Sequence, residues 1–170
     1  MTNPPVVSVV GSSGSGKTTL IVKLVPELKK RGYRVGTVKH TFHRVDLDTE
    51  GKDSWRHKDA GAETALLVSP GTVHLARDLA ADDLAAVLPF FDGLDIVITE
   101  GYKRESTPKI EVFRRERQNK PVCIDDQRLV AFVTDADIDP GVPCFSLEAV
   151  SALADFIEKT FLSKTGTPPL

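Results

Sequence analysis

Short apolar runs and longer stretches of helical spacing alternate along this chain. Val6–Val10 is a nearly all-apolar, β-branched run of strand length. After a Gly/Ser-rich turn, Leu20, Ile21, Leu24, Val25 and Leu28 recur at helical spacing, which predicts a helix from Gly16 to about Arg31. Lys29-Lys30-Arg31 suits the negative end of its dipole, and Gly32 suits a left-handed cap. Pro26 lies inside the stripe and predicts a kink, because the apolar positions continue through it. Tyr33–Val38 reads as a second strand, parallel to the first because a helix connects them.

The pattern then breaks. Lys39 to Gly61 is polar, with only isolated apolar residues, and reads as a loop carrying one short helix, Ser54–Ala60, capped by Asp53 or Ser54 and closed by Gly61. Thr64–Ser69 and Thr72–Arg77, joined by Pro70-Gly71, predict a hairpin. Leu84, Val87, Leu88 and Phe91 keep helical spacing behind Asp82-Asp83. Leu94–Thr99 and Leu129–Thr134 are continuous apolar strands of the kind buried on both faces, and Lys109–Arg114 alternates as a further strand. A last helix follows Ser146, with Leu147, Val150, Leu153, Ala154, Ile157 and Phe161 on one side, and the tail 163–170 reads as frayed.

The turn between the first strand and helix is Gly11-Ser12-Ser13-Gly14-Ser15-Gly16-Lys17-Thr18, the G-x-x-x-x-G-K-[ST] signature of a P-loop. Without Cβ atoms in the way, backbone N–H groups of such a turn aim at a phosphate, and the helix start adds its positive dipole end. Lys17 reaches the outer phosphates, and the Thr18 hydroxyl serves Mg²⁺, which takes few protein ligands and keeps waters and phosphate oxygens. A Gly/Ser linker has the same composition, but a linker does not join a β-branched strand to an amphipathic helix. The elements together predict an α/β, P-loop NTPase-like three-layer fold: a mostly parallel sheet, helices on both faces and an added β-hairpin, in one domain over residues 1–170.

Composition narrows the partners. Twenty-two basic against 24 acidic side chains give a net charge of −2, with no global attraction to nucleic acid or an anionic membrane. Cys123 and Cys144 form no C-x-x-C pair, the N-terminus shows no signal-peptide pattern, and no apolar run approaches a membrane span. A cytoplasmic protein is expected.

Five further groups of residues bear on chemistry. Glu100 ends the Leu94 strand before Gly101, which delivers a carboxylate to the sheet edge where phosphate and Mg²⁺ sit, so it is assigned to the metal through water. Lys39, His40, Lys52 and Arg56 belong to a basic loop that could close over a triphosphate or hold a phosphorylated second ligand. His40 and His43 with Asp46 and Asp48 could be drawn as a metal cluster, although such spacings arise readily by chance and a solvated loop is the simpler reading. Arg114, Arg115 and Arg117 form another basic cluster. Asn119-Lys120 lacks the aspartate of a guanine-reading Asn-Lys-x-Asp element, which leaves Asp135, at the end of the Leu129 strand, as the carboxylate placed for a base.

The ordered motifs GSSGSGKTTL, VKHTFHRVDLDTEGKDSWRHKDAGA, DIVITEGYK and PKIEVFR resemble the molybdopterin-guanine dinucleotide biosynthesis protein B (MobB) family over about Val6 to Phe161. The resemblance implies a GTP ligand with Mg²⁺, weak GTPase activity at most, a homodimer, and an auxiliary role beside the guanylyltransferase (MobA-type) that attaches GMP to molybdopterin. It carries phosphate binding onto Gly14, Gly16, Lys17, Thr18 and Thr19, the acidic strand end onto Glu100, and loop function onto His40, Asp48, Lys52 and Asp53. Phe42 interrupts a stretch in which members of the family often carry three histidines. Any hydrolysis would use Lys17 and Mg²⁺ to stabilise charge, with Asp48 or Asp53 positioning water. Two other readings stay open: an ATP-using small-molecule kinase with the Arg114–Arg117 cluster as lid, and an adaptor in which nucleotide only locks the dimer.

Overall fold

The computed structural model describes residues 3–41, 49–117 and 120–162, and it divides into two compact units, one of residues 1–40 with 87–170 and one of residues 41–86. The tail 163–170 therefore lies outside the described residues.

The larger unit is built on a six-stranded, wholly parallel sheet: β1 (Val6–Val10), β2 (Val35–Lys39), β5 (Ile96–Glu100), β6 (Lys109–Phe113), β7 (Leu129–Thr134) and the two-residue β8 (Cys144–Phe145), in the order β2-β5-β1-β6-β7-β8. The second strand is thus parallel to the first but not beside it, since β5 stands between them. One face of the sheet carries the main core, in which Val7, Val9, Ile96, Ile98, Ile110, Val112 and Val133 meet Leu20, Ile21, Leu24 and Leu28 of α1 (Lys17–Lys30) and Leu153 and Ile157 of α4 (Val150–Ile157). A π-helical turn, Glu158–Leu162, extends α4.

Pro26 is accommodated within α1, which runs unbroken for 14 residues. That helix ends in a Schellman motif: Gly32 at φ 94° donates to the Lys29 carbonyl at 3.0 Å, and Tyr33 donates to Leu28 at 3.2 Å. The segment behind Asp82-Asp83 differs from one continuous helix. The Asp83 carboxylate accepts the Ala86 N–H at 2.8 Å, α3 (Leu84–Val87) makes a single turn, and a 3-10 turn, Leu88–Phe91, follows with Pro89 in its first turn, where a missing N–H costs nothing.

The opposite sheet face is less apolar. A hydroxyl chain crosses it, Thr99 donating to Ser8 at 2.9 Å and Ser8 sharing a proton with Thr107 at 2.6 Å, so these buried polar groups are satisfied. Phe113, Leu129 and Phe132 form a small second cluster.

The smaller unit holds α2 (Asp53–Asp59) and the antiparallel hairpin β3 (Thr64–Ser69) and β4 (Thr72–Arg77). Pro70-Gly71, with Gly71 at φ 75°, is the turn expected at i+1 and i+2 of a type II turn. Helix α2 begins one residue before the expected start. Lys52 is its N-cap and Asp53 lies in its first turn, where its charge suits the dipole without a side-chain cap.

Candidate functional site

The candidate site grows from the C-terminal end of β1. Gly11, at φ 140°, approaches β6 so closely that a Cβ would stand 2.4 Å from the Val112 carbonyl oxygen, so no other residue fits there without displacing backbone. Gly14 and Gly16 take φ of 74° and 102°, and Gly16 is the left-handed N-cap of α1. Between them Ser15 is fully buried, and its Oγ has no hydrogen-bond partner among the described residues. A cradle with left-handed glycines and one orphaned buried hydroxyl fits a polyoxygen ligand, which offers acceptors at short range.

Lys17 folds onto its own loop. Its Nζ donates to the Gly11 carbonyl at 3.0 Å and the Ser12 carbonyl at 2.7 Å. Burial pushes the Lys17 ammonium below its ordinary pKa, and the Glu100 carboxylate opposes that shift. Ser13, Thr18 and Thr19 are exposed at the helix start.

The sheet order explains the next contact. Glu100 is in register with Val9 on one side and Lys39 on the other, so the end of β5 stands between the glycine-rich loop and the end of β2. Thr18 Oγ1 donates to Glu100 Oε2 at 2.8 Å, and Lys39 Nζ pairs with Glu100 Oε1 at 3.2 Å. The hydroxyl and carboxylate assigned to a metal from the sequence are therefore in direct contact. Such a pair fits Mg²⁺, a cation of few protein ligands. No group of three or more His, Cys, Asp or Glu side chains arranged to hold a metal occurs among the described residues. His43 and Asp48 lie outside them.

Beyond Glu100 the backbone turns through two left-handed residues, Gly101 at φ 101° and Tyr102 at φ 54°. Tyr102 is the one non-glycine residue of positive φ among the described residues, and its ring lies 4.5 Å from that of His40. An aromatic residue in this region is strained by about 1–3 kcal/mol, and such strain clusters at functional sites. Nothing in the residue pattern marked it.

The other expected residues are placed differently. The Asp135 carboxylate accepts the Arg115 N–H at 3.2 Å and faces Arg114 Nε at 3.4 Å, so part of its capacity is already used. Lys52, Asp53 and Arg56 belong to the smaller unit.

Residues 6–135 match the family model described as molybdopterin guanine dinucleotide synthesis protein B, MobB. The chain belongs to the MobB family. Among curated relatives it is 37% identical over 160 residues to a molybdopterin-guanine dinucleotide biosynthesis adapter protein of Haemophilus influenzae, covering 91% of this chain and 88% of that one. To the adapter protein of Escherichia coli it is 33% identical over 168 residues, covering 95% and 96%. A crystal structure of molybdopterin-guanine biosynthesis protein B superposes with a TM-score of 0.72 at 30% identity, over 91% of this chain and 97% of that one. The MobB fold, of P-loop NTPase type, is thus the fold of this chain, as the motifs implied. No helix of the described residues is long and apolar enough to cross a membrane.

Proposed function

We propose that this chain is a GTP-binding adapter of molybdopterin guanine dinucleotide biosynthesis, acting on a molybdopterin guanylyltransferase. The observation that carries the reading is the contact set at the start of α1: Lys17 on the loop carbonyls, Thr18 on Glu100 and Lys39 on the same carboxylate. Membership of a family whose relatives are named as adapters supports the role.

In this reading the backbone N–H groups of 11–19 and the Lys17 ammonium hold the phosphate chain, and Lys17 leaves the loop carbonyls to do so. Thr18 binds Mg²⁺ directly and Glu100 does so through water, with Lys39 released from the carboxylate to meet phosphate or a second ligand. Bound Mg²⁺ supplies charge neutralisation at the outer phosphates. Asp135 reads the base once Arg114 and Arg115 yield it. Hydrolysis is weak at most, with Asp48 or Asp53 positioning water, and the segment from Lys39 to Gly61 responds to nucleotide, with His40, Lys52 and Arg56 toward the second ligand.

A homodimer completes the proposal. Leu66, Leu67, Val68, Val73 and Leu75 leave the hairpin with apolar side chains 42–71% exposed, and a lone two-stranded sheet is marginal in water. Two free cysteines suit a reducing, cytoplasmic setting. The test is guanylyltransferase output with and without this chain, with GTP or a non-hydrolysable analogue. Stimulation that requires nucleotide binding and survives the analogue is expected, and a partner indifferent to the chain under every condition would remove the adapter role.

A further inference from the structure

The end of β5 is tied down on both sides. The His40 N–H donates to the Glu100 carbonyl at 3.0 Å and the Gly101 N–H donates to the Val9 carbonyl at 3.1 Å, so the backbone that carries the metal-side carboxylate is held by β1 and by the residue after β2. Lys109 opens β6 level with Ser8, and Ser8 is level with Thr99, so β6 begins on one side of β1 at the height where β5 stops on the other. Residues 101–108 therefore cross β1 at once, and Thr107 holds them to Ser8 at 2.6 Å. The crossing needs a reversal directly after Glu100, which the left-handed pair Gly101 and Tyr102 supplies. The far side of that reversal is fixed as well. Glu105 N–H donates to the Tyr102 carbonyl at 3.0 Å, and Lys109, 1% exposed and paired with Asp126 at 2.8 Å, donates to the Glu105 carbonyl at 2.8 Å.

Topology accounts for the reversal but not for a tyrosine in it. Glycine adopts φ 54° without strain and asparagine with little, so either would make the turn more easily. What tyrosine adds is its ring. The side chain is 8% exposed, and its ring centre lies 4.5 Å from that of His40 at an interplanar angle of 37°, an attractive aromatic geometry. His40 in turn holds the Glu100 main chain through its N–H and follows Lys39, whose Nζ meets the Glu100 carboxylate at 3.2 Å. Strain retained where a smaller residue would relieve it is a mark of functional sites.

We propose that Tyr102 is a positioning residue of the nucleotide site: its ring clamps His40 and so holds the ends of β2 and β5 in the register that presents the Glu100 carboxylate to Mg²⁺ beside Thr18. The metal role of Glu100 rests on the proposed function, whereas the clamp itself does not. Tyr102 acts through His40 and Glu100 and is not itself a ligand.

Tyr102→Asn removes the ring and keeps a residue that tolerates the left-handed region, Tyr102→Phe keeps the ring, and His40→Ala removes the other half of the clamp without altering the turn. In the free chain, amide hydrogen exchange followed by NMR should accelerate at least about tenfold at residue 40 in Tyr102→Asn and His40→Ala, with Ile98 in the core of β5 unchanged. Calorimetric titration of a non-hydrolysable GTP analogue at stepped Mg²⁺ concentrations should show both variants needing at least about tenfold more Mg²⁺ for half-maximal binding, with affinity at saturating Mg²⁺ within about twofold of wild type. Tyr102→Phe should restore the wild-type Mg²⁺ requirement. Unchanged exchange at residue 40, an unchanged Mg²⁺ requirement, or a requirement raised equally in Tyr102→Phe overturns the proposal, and if Tyr102→Asn does not fold by far-UV circular dichroism, His40→Ala decides it. A wild-type chain that binds no analogue at any Mg²⁺ concentration overturns the nucleotide reading alone, because exchange at residue 40 still decides for or against the clamp.

Discussion

Gly11 and Gly14 lie three residues apart in one loop, both at positive φ, and alanine has different consequences at each. At Gly11 the new Cβ would fall 2.4 Å from the Val112 carbonyl oxygen and 2.8 Å from the Ser15 Oγ, at φ 140°. The first neighbour is backbone of a central strand and does not yield as a flexible side chain would. Backbone strain of about 1–3 kcal/mol and overpacking of a similar size together predict a loss of about 2–6 kcal/mol. At Gly14, at φ 74°, the Cβ meets nothing within 4 Å, so only the left-handed conformation opposes it, by about 1–2 kcal/mol. Domains of this kind have about 5–15 kcal/mol in total, so the first change removes a large fraction and the second a small one. Urea unfolding of both variants, followed by far-UV circular dichroism, measures the difference. Equal midpoint shifts, or a larger shift for Gly14→Ala, would refute the close approach of the loop to β6.

Lys109→Met, nearly isosteric, removes the closer cationic partner of Asp126 and leaves the Glu105 carbonyl without its donor, and should lower unfolding free energy by about 2–4 kcal/mol, with Arg128 at 4.0 Å and Asp126's partial exposure moderating the loss. Burial raises the Glu111 carboxyl above its ordinary 4.5, so its contribution to stability is full below that value and fades as pH rises through the higher folded value. Glu111→Gln should abolish that decline in urea midpoints measured from pH 4 upward, while losing about 1–3 kcal/mol at every pH because one buried N–H of Val122 or Cys123 loses its acceptor. A wild-type chain whose stability rises with pH in step with Glu111 titration would reverse the sign. Val68→Glu on the exposed hairpin should shift sedimentation equilibrium from dimer to monomer with unchanged circular dichroism, and an unaltered association constant would place the interface elsewhere.

The parts of the fold legible in the residues are those where one local cause dominates. Leu129–Thr134 and both hairpin strands fall at the expected bounds, because a doubly buried strand is apolar throughout and a Pro-Gly pair sets both ends of a hairpin. Strand order is a different matter. Nothing local shows that β5 enters between β1 and β2, although that insertion is what puts Glu100 against both Thr18 and Lys39. The carboxylate at a strand end and its shared place with Thr18 were readable, but its pairing with Lys39 was not. Lys109 and Glu111 illustrate the opposite failure. Alternation of charged and apolar residues suggests a strand half in water, yet both faces are buried, and the signal lay in the chemistry rather than the period: two opposite charges two residues apart on a strand next to the glycine-rich loop. The change to a 3-10 turn at Leu88–Phe91 was hidden by apolar spacing that runs on through Phe91, and Pro89 alone does not mark it, since α1 carries Pro26 in its interior.

Calorimetric titration of GTP and ATP into the wild-type chain and Lys17→Ala, each with Mg²⁺ present, measures whether the loop at the end of β1 binds GTP through Lys17. One GTP per chain is expected, with ATP weaker by at least about tenfold and GTP binding weakened in Lys17→Ala by about a hundredfold or more. ATP bound as tightly as GTP would contradict the choice of nucleotide, and undiminished GTP binding by Lys17→Ala would contradict the site itself.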